Sequence, residues 1–570
     1  MDNQIAKSAV FAISLIQGIV LTLLYRSVEQ QLWPATELIW LMAGVTFTLA
    51  FPLLLLLSAT TSNLASIIKY LLPYSLVLTA LAAYVGLQQE PSEYVNNWPV
   101  LSAFIVTSIV ASFKALMYIQ QLVSGEKLSY DNLFRLSWRN FIIFVESWLF
   151  VAIFWGILHL GAGLFSVIEI KFFSELLRKD WFVIPILTLA FGFAVVIFRN
   201  ISYTVDNIST ILQTLIKFLL PALTIVSLGF LVTLPFTGLG TLWKTGSGSL
   251  LVMWLQALTL FFVNAVYHQG DQQQPYNKYL HRLIFFGVAL LPVYSVISLY
   301  GIWLRVDQYG LTVSRCWAIL IWLLLANFSF GYLYGIVKKR DQWLTVLSTV
   351  NVFMGAVVLL AMLLVNSPLL NFQAITVSSQ LKRLHQGIIT YQDFDYRYFK
   401  SVLGRQGYFA LQALKAELAD VHPEKVAMIE RFYAHASVND EQYSLDQFKE
   451  QITFWPSQHT FDETLIEAVY QQETEYQYNQ AHKNSYYFIA VDLNSDQEPE
   501  NIVITENNYS TSANLWRLQK GNWQETYISI DNPDNNRYLK ELIRENDVAA
   551  QPAKWKKLTV GNITFTITDQ

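Results

Sequence analysis

Residues 137–163 read SWRNFIIFVESWLFVAIFWGILHLGAG. Arg135, Trp138 and Arg139 form a polar flank, and an apolar run follows that is long enough to cross a bilayer, which takes about 20 residues. One carboxylate, Glu146, and one imidazole, His159, lie inside the run, with Gly156, Gly161 and Gly163. A carboxylate in hydrocarbon is costly and is expected to face other helices and a partner. Small residues let neighbouring helices approach closely. The stretch therefore predicts a central helix of a membrane bundle.

Ten further runs of this kind occur on either side. With this one they place spans at 6–25, 38–58, 70–87, 98–119, 140–168, 181–198, 218–237, 249–267, 283–304, 316–337 and 343–365, eleven in all. Trp33, Trp98, Trp138, Trp181, Trp243 and Trp343 mark their ends, where amphipathic aromatic rings sit at the headgroups. Between two spans, Ile201, Val205, Ile208, Leu212 and Leu215 recur at helical spacing opposite Asp206, Asn207 and Gln213. That pattern predicts an amphipathic helix over 199–217, either lying at the interface or simply connecting the two spans.

Composition divides the chain in two. Residues 1–366 hold 20 Lys and Arg against 15 Asp and Glu, whereas 367–570 hold 18 against 27. The expected organisation is a membrane all-α bundle over 1–366 and a C-terminal soluble α+β domain over 367–570. An acidic tail argues against nucleic acid as a partner and against docking flat on anionic lipid. Cys316 is the only cysteine, which excludes an intramolecular disulfide.

Orientation follows from Lys and Arg alone. An inside N-terminus puts twelve of these residues in inner segments and seven, including Arg305 and Arg315, in outer connections. Lys338-Lys339-Arg340 is the strongest single indicator. Eleven spans then carry the tail outside, which in a bacterial inner membrane is the periplasm. In the tail, helical patterns come first: 378–385, capped by Ser378 or Ser379 and stopped by Gly387, then 408–419, 424–436 and 462–476. Strand patterns follow at 486–491, 501–505, 515–518, 523–530, 557–560 and 563–567, with turn signals at 520–522 and 561–562.

The run ITVSSQLKRLHQG at 375–387, Asp393-Phe394-Asp395-Tyr396, Gly404-Arg405-Gln406-Gly407 and the Trp138–Asn140 and Glu146–Trp148 region together resemble a bacterial polytopic inner-membrane family, domain of unknown function 4153. The resemblance implies several spans and a soluble tail. It implies no activity.

Two constellations are candidates for chemistry. Lys114, near the inner end of the fourth span, and Glu146, near the inner start of the fifth, fall at similar depth in consecutive antiparallel helices. Pairing would lower the cost of both charges. The alternative is that Lys114 snorkels alone to the interface. His159 is about 20 Å further along the helix and reads as a packing histidine. Asn264, His268, Asn327 and Asn351 either line a cavity or hydrogen-bond between helices. In the tail, Asp492, Asn494, Asp496 and Glu498 alternate between two strand patterns, as oxygen ligands of a Ca²⁺ loop do, although Gln497 stands where such loops have glycine. The alternative is a solvated acidic turn.

There is no His-Glu-x-x-His zinc signature and no phosphate-cradling glycine loop. The functional expectation is a non-enzymatic envelope protein that senses or binds a periplasmic ligand or protein partner. A transporter built around Glu146 and a membrane-embedded envelope transferase are the alternatives.

Overall fold

The computed structural model describes residues 5–244, 247–268, 275–419, 421–433, 444–477, 484–493, 497–506, 511–519, 522–528, 558–560 and 563–565. The chain forms two compact units, Met1–Tyr433 and Ala434–Gln570. The first contains helices α1 (Lys7–Glu29), α2 (Leu38–Ser58), α3 (Leu64–Leu87), α4 (Trp98–Ser124), α5 (Tyr130–Val167), α6 (Phe172–Leu176), α7 (Asp180–Asn200), α8 (Ser202–Thr237), α9 (Leu239–Lys244), α10 (Gly248–Val266), α11 (Lys278–Ala289), α12 (Leu291–Tyr309), α13 (Val313–Lys339) and α14 (Trp343–Leu364). Four shorter helices complete it: α15 (Phe372–His385), α16 (Tyr396–Val402), α17 (Gly404–Leu418) and α18 (Pro423–Tyr433).

Among the described residues eleven helical segments are long and apolar enough to cross a membrane, and they coincide with the eleven expected spans. α11 and α12 make one crossing, broken at Leu290 just before Pro292. Proline lacks the N–H that would continue the ladder. Helix α8 differs from expectation. The amphipathic stretch at 199–217 is not a separate interfacial helix but runs unbroken into the seventh span. Its apolar spacing continues in phase with the span, and Ile208 packs against the bundle core.

Among the described residues the bundle has two large cores and a smaller cluster of Leu78, Ala82, Val85 and Phe104 between α3 and α4. Val10, Leu56, Ile67, Leu116, Ile143 and Val195 bring together α1, α2, α3, α4, α5 and α7. Leu220, Val263, Ile284, Tyr294, Tyr332 and Leu347 bring together α8 and α10–α14. α4 and α14 form the seam between them. There Tyr118 donates to the Val352 carbonyl, with Gly355 leaving room for its hydroxyl, and Asn366 donates to Thr107 Oγ1 at 2.7 Å.

Helices α15–α18 belong to this first unit. They form a cap with its own core of Leu384, Phe399, Leu411, Leu414 and Ile429, into which Tyr94 and Val313 of the bundle insert. The N-cap of α15 is Asn371, which accepts from Ala374 N–H at 2.9 Å. Ser378 and Ser379, the expected caps, lie inside that helix. The expected boundary at 366/367 marks the end of the last span, whereas the two compact units divide between 433 and 434.

In the second unit α19 (Leu445–Glu450) and α20 (Glu463–Gln477) accompany strands β1 (Ile452–Trp455), β2 (Ser485–Val491), β3 (Glu500–Glu506), β4 (Thr511–Gln519) and β5 (Asn522–Ile528) in one sheet of that order. β1, which the sequence pattern missed, pairs parallel to β2, and the rest form an antiparallel meander with Phe488 opposite Val503 and Ile502 opposite Leu515. Alternation along β2 sends Tyr486, Phe488 and Ala490 into the core with Leu465 and Val469 of α20. Tyr487 and Ile489 on the other face meet Ile502 and Ile504. β6 (Leu558–Val560) and β7 (Ile563–Phe565) form a separate antiparallel pair. Gly521 and Gly561, from the two expected turns, lie outside the described residues.

Candidate functional site

Among the described residues Lys114 and Glu146 form no ion pair with one another. Asn140 Nδ2 donates to Gln120 Oε1 at 2.8 Å, which fixes the register of α4 against α5. From that contact, six residues in the same direction reach Lys114 on one helix and Glu146 on the other, a rise of about 9 Å. Six residues are also about one and two-thirds turns. Both helices are right-handed, so the two side chains rotate the same way and leave the interface on opposite sides of the pair. Among the described residues neither joins an ion pair. Glu146 Oε2 is buried and accepts no hydrogen bond. Lys114 falls one turn from Tyr118, on the side of α14, and α14 carries no carboxylate.

His159 is exposed and meets Trp155 of its own helix edge to face, at 4.4 Å between centroids. The first half of this stretch is central as expected, with Ile142, Ile143 and Val151 buried, but its outer half departs from that reading. A Cβ on Gly156, Gly161 or Gly163 would meet nothing within 4 Å. Close approach occurs elsewhere. On α13, Gly331 and Gly335 form a Gly-x-x-x-Gly pair, where added Cβ atoms would come within 2.9 Å of Val350 Cγ1 and Val346 Cβ of α14.

Between those two glycines Tyr332 reaches a neutral network. Its hydroxyl donates to Asn264 Oδ1 at 2.7 Å and to Asn351 Oδ1, and Asn351 Nδ2 donates to Asn264 Oδ1 at 2.7 Å. Tyr130 of α5 donates to the Asn264 carbonyl at 3.2 Å. Two turns away on α10, Gln256 Nε2 donates to Ser295 Oγ at 2.7 Å and Ser329 Oγ at 2.6 Å. Of the polar residues singled out in the spans, the structure joins Asn264 to Asn351. His268 instead contacts Asp131 at 3.0 Å and stacks on Phe134, and exposed Asn327 donates to its own helix at Leu323 O. The contacts that join Asn264, Tyr332 and Asn351, and those of Gln256 with Ser295 and Ser329, are interhelical hydrogen bonds between neutral groups.

The most extensive polar assembly is the clamp that holds the cap. Arg405 donates to Glu90 O at 3.0 Å and Gln406 to Gln88 Oε1 at 3.1 Å. Asn371 donates to Tyr84 OH at 2.9 Å, Lys400 to Tyr94 O at 3.1 Å, and Asn96 to Ser401 O at 2.8 Å. Tyr94 stacks on Tyr408. Those bonds grip the α3–α4 connection, in the first core's half. A second set grips the end of α12 and the turn into α13, in the other half. Gln380 donates to Leu311 O at 2.8 Å, Arg383 to Gln308 O at 2.7 Å, and Leu311 N–H donates to Ser379 Oγ at 3.0 Å. Tyr398 OH accepts from Val313 N–H at 3.0 Å, and burial pushes its phenol upward from the usual range. The cap therefore bolts both halves together on one face. The ends of the third, ninth and eleventh crossings all lie on that face, as alternation of the spans requires. Most acceptors here are backbone carbonyls, which no residue pattern marks. The one signal was the motif run 375–387 with 404–407, whose Ser379, Gln380, Arg383, Arg405 and Gln406 supply the grip.

In the acidic loop, Asn494 and Asp496 lie outside the described residues. Asp492 Oδ2 accepts from Gln497 N–H at 3.0 Å and Glu500 Oε2 from Leu493 N–H at 2.7 Å. Gln497 adopts the left-handed φ of 73° that glycine usually supplies. Glu498 is exposed. Among the described residues no group of three or more His, Cys, Asp or Glu side chains is placed to hold a metal. The same unit carries a polar contact that the sequence did not indicate. Glu473 of α20 accepts from Tyr486 OH at 3.3 Å and Asn484 Nδ2 at 3.5 Å, and burial holds its carboxyl above the ordinary range.

No curated protein and no solved structure matches this chain. The profile of one family, described as a domain of unknown function (DUF4153), matches residues 36–414. The match runs from just before α2 into α17 and so takes in ten crossings and both grips of the clamp. This polytopic membrane protein belongs to the DUF4153 family.

Proposed function

We propose that the chain is a non-enzymatic envelope protein of the bacterial inner membrane, with its cap and its sheet unit on the periplasmic side, where it senses or binds a ligand or protein partner. The observation that carries this reading is the clamp, whose two grips tie the α3–α4 connection to the α12–α13 turn. A protein that alternates access by rocking one half against the other would have to release one grip in each cycle. A clamp made of many backbone-directed hydrogen bonds favours a fixed bundle that presents its cap. The transporter alternative rests on Glu146, but among the described residues its Oε2 has no hydrogen-bond partner and it joins no ion pair.

Two measurements test the reading. Alkaline phosphatase and green fluorescent protein are fused separately after Gln570; phosphatase activity without fluorescence is expected, and the reverse rejects the periplasmic assignment. For the fixed bundle, spin labels are placed at exposed Glu93 and Gln308, one beside each grip, in a Cys316→Ala background. One narrow distance distribution, unchanged by a proton gradient, is expected. Two interconverting distances would support the transporter instead.

A further inference from the structure

Positive charge gathers on the cap face, and among the described residues no carboxylate pairs with it. Arg305 near the end of α12, Arg315 in the first turn of α13 and Arg383 of α15 converge on Tyr309 and Gly310. The guanidinium carbons of Arg305 and Arg315 lie 5.9 and 5.3 Å from the centroid of the Tyr309 ring. The Arg383 side chain packs against Gly310, in the space a Cβ would need. All three are half-buried, and Arg305 and Arg383 each repel the charge of Arg315. Among the described residues none of the three joins an ion pair. Asp307, the nearest acid in sequence, is exposed and takes part only through its carbonyl.

Each guanidinium spends only part of its five donors. Arg305 donates to Trp243 O at 3.4 Å and Arg315 to Gly310 O at 2.7 Å. Arg383 uses both terminal nitrogens on Asp307 and Gln308 carbonyls, and its Nε is buried without an acceptor. Like charges held this close repel, and a bound anion removes the cost. The N-terminus of α13 adds its own positive end. Exposed Tyr300, Trp303 and Tyr309 bracket Arg305, which is the pattern of residues at headgroup depth.

Deeper in the same crossing an apolar groove of about 470 Å³ opens between α8 and the break at Leu290. Leu290, Val293 and Ile297 line it from one side, and Leu231, Val232 and Pro235 from the other. The stripe through Leu290, Val293 and Ile297 continues along α12 to Gly301 and Arg305, about 12 Å beyond Ile297. Trp243 sits on Gly301 between groove and guanidinium.

We propose that Arg305, Arg315 and Arg383 bind the phosphodiester of an anionic membrane phospholipid, with one acyl chain lying in the groove between α8 and α12. The headgroup supplies the missing counter-charge, and the groove supplies an apolar track at hydrocarbon depth.

The test is the melting midpoint of the full-length protein in neutral detergent, titrated with phosphatidylglycerol, phosphatidylcholine or sodium phosphate. Phosphatidylglycerol is expected to raise the midpoint saturably, with phosphatidylcholine ineffective. The R305Q/R315Q variant is expected to need about tenfold more phosphatidylglycerol, or more, for the same shift. Equal stabilisation by phosphatidylcholine, or an unchanged requirement in the variant, would overturn the site. Sodium phosphate that saturates at the same concentration as phosphatidylglycerol would overturn the lipid assignment and leave a free-anion site. If that variant does not fold, the wild type decides through ionic strength. Added sodium chloride must raise the phosphatidylglycerol requirement, and insensitivity to it overturns the proposal.

Discussion

Helices α5 and α13 carry the same advertisement and have opposite fates. Each spans the membrane, each contains closely spaced glycines, and each has polar side chains within its apolar run. On α13 the glycines at 331 and 335 are filled by α14, and the tyrosine between them finds two asparagines. On α5 the glycines at 156, 161 and 163 face open space, Glu146 leaves an oxygen unpartnered, and His159 is exposed. In a membrane, apolar character does not distinguish a face that meets lipid from one that meets protein, because both surroundings are equally oily. A small or polar residue therefore marks an interface only when a neighbour arrives to use it.

The largest effect expected from this contrast is steric. Gly335→Leu should destabilise the full-length protein by about 1–3 kcal/mol, because the new side chain collides with Val346 and overpacking distorts the contact. Gly161→Leu should leave the melting midpoint in detergent unchanged. Equal losses from the two would mean that α5 has a neighbour on its outer half.

A smaller effect is expected from hydrogen bonds. Tyr332→Phe removes a hydroxyl whose single proton is shared between two asparagine oxygens, and an interhelical bond in membranes averages about 0.6 kcal/mol, so a loss of that order is expected. Glu146→Gln should not lower the midpoint, since its unpartnered oxygen contributes nothing to lose. A larger loss from Glu146→Gln than from Tyr332→Phe would reverse the comparison.

What was legible in the sequence follows the same division. Eleven runs of about 20 apolar residues suffice to place eleven crossings, because the bilayer fixes their length. Strand alternation found β2–β5 for a similar reason, while β1 is four residues and shows no alternation of burial. The faces were not legible. Asn264 and Asn351 stood out as polar residues in spans, yet Tyr332, which joins them, looked like one more aromatic. Nor was the clamp, since Arg405 and Arg383 grip carbonyls that any sequence would supply. The spacing of Lys114 and Glu146 suggested a depth for each, but which way each side chain leaves its helix could not be read without the Gln120–Asn140 contact.

Glu473 offers a carboxylate with what Glu146 lacks, namely donors beside it. Burial raises its folded-state value above the unfolded one despite those bonds, so the folded protein holds the proton more tightly. The sign is then fixed: this group's contribution to stability is greatest at low pH and declines as pH rises from the ordinary glutamate range through the raised value. Hydrogen-exchange protection of the β2 amides, corrected for intrinsic rates, should fall across that interval in the wild type. In Glu473→Gln the fall should be absent. An identical pH profile in the variant would mean that Glu473 is solvated.

The smallest expected quantity is a coupling near zero, and it tests the geometry of the α4–α5 pair most directly. Lys114→Met and Glu146→Gln are made singly and together in the full-length protein, and midpoints are compared in a double-mutant cycle. If the two side chains leave the interface on opposite sides, neither feels the other's loss, and the changes add within about 0.3–0.5 kcal/mol. A buried pair gives the opposite result, because removing one partner leaves an uncompensated charge costing about 3–5 kcal/mol that the second change recovers. The cycle separates these cases even if each single change alters stability for its own reason, such as lost packing of the lysine stem. Recovery in the double variant would require α4 or α5 to rotate from the register set by Gln120 and Asn140. Asn140→Leu supplies the internal check, since it removes that register contact, and coupling that appears only in its background would show that the contact holds the two charges apart.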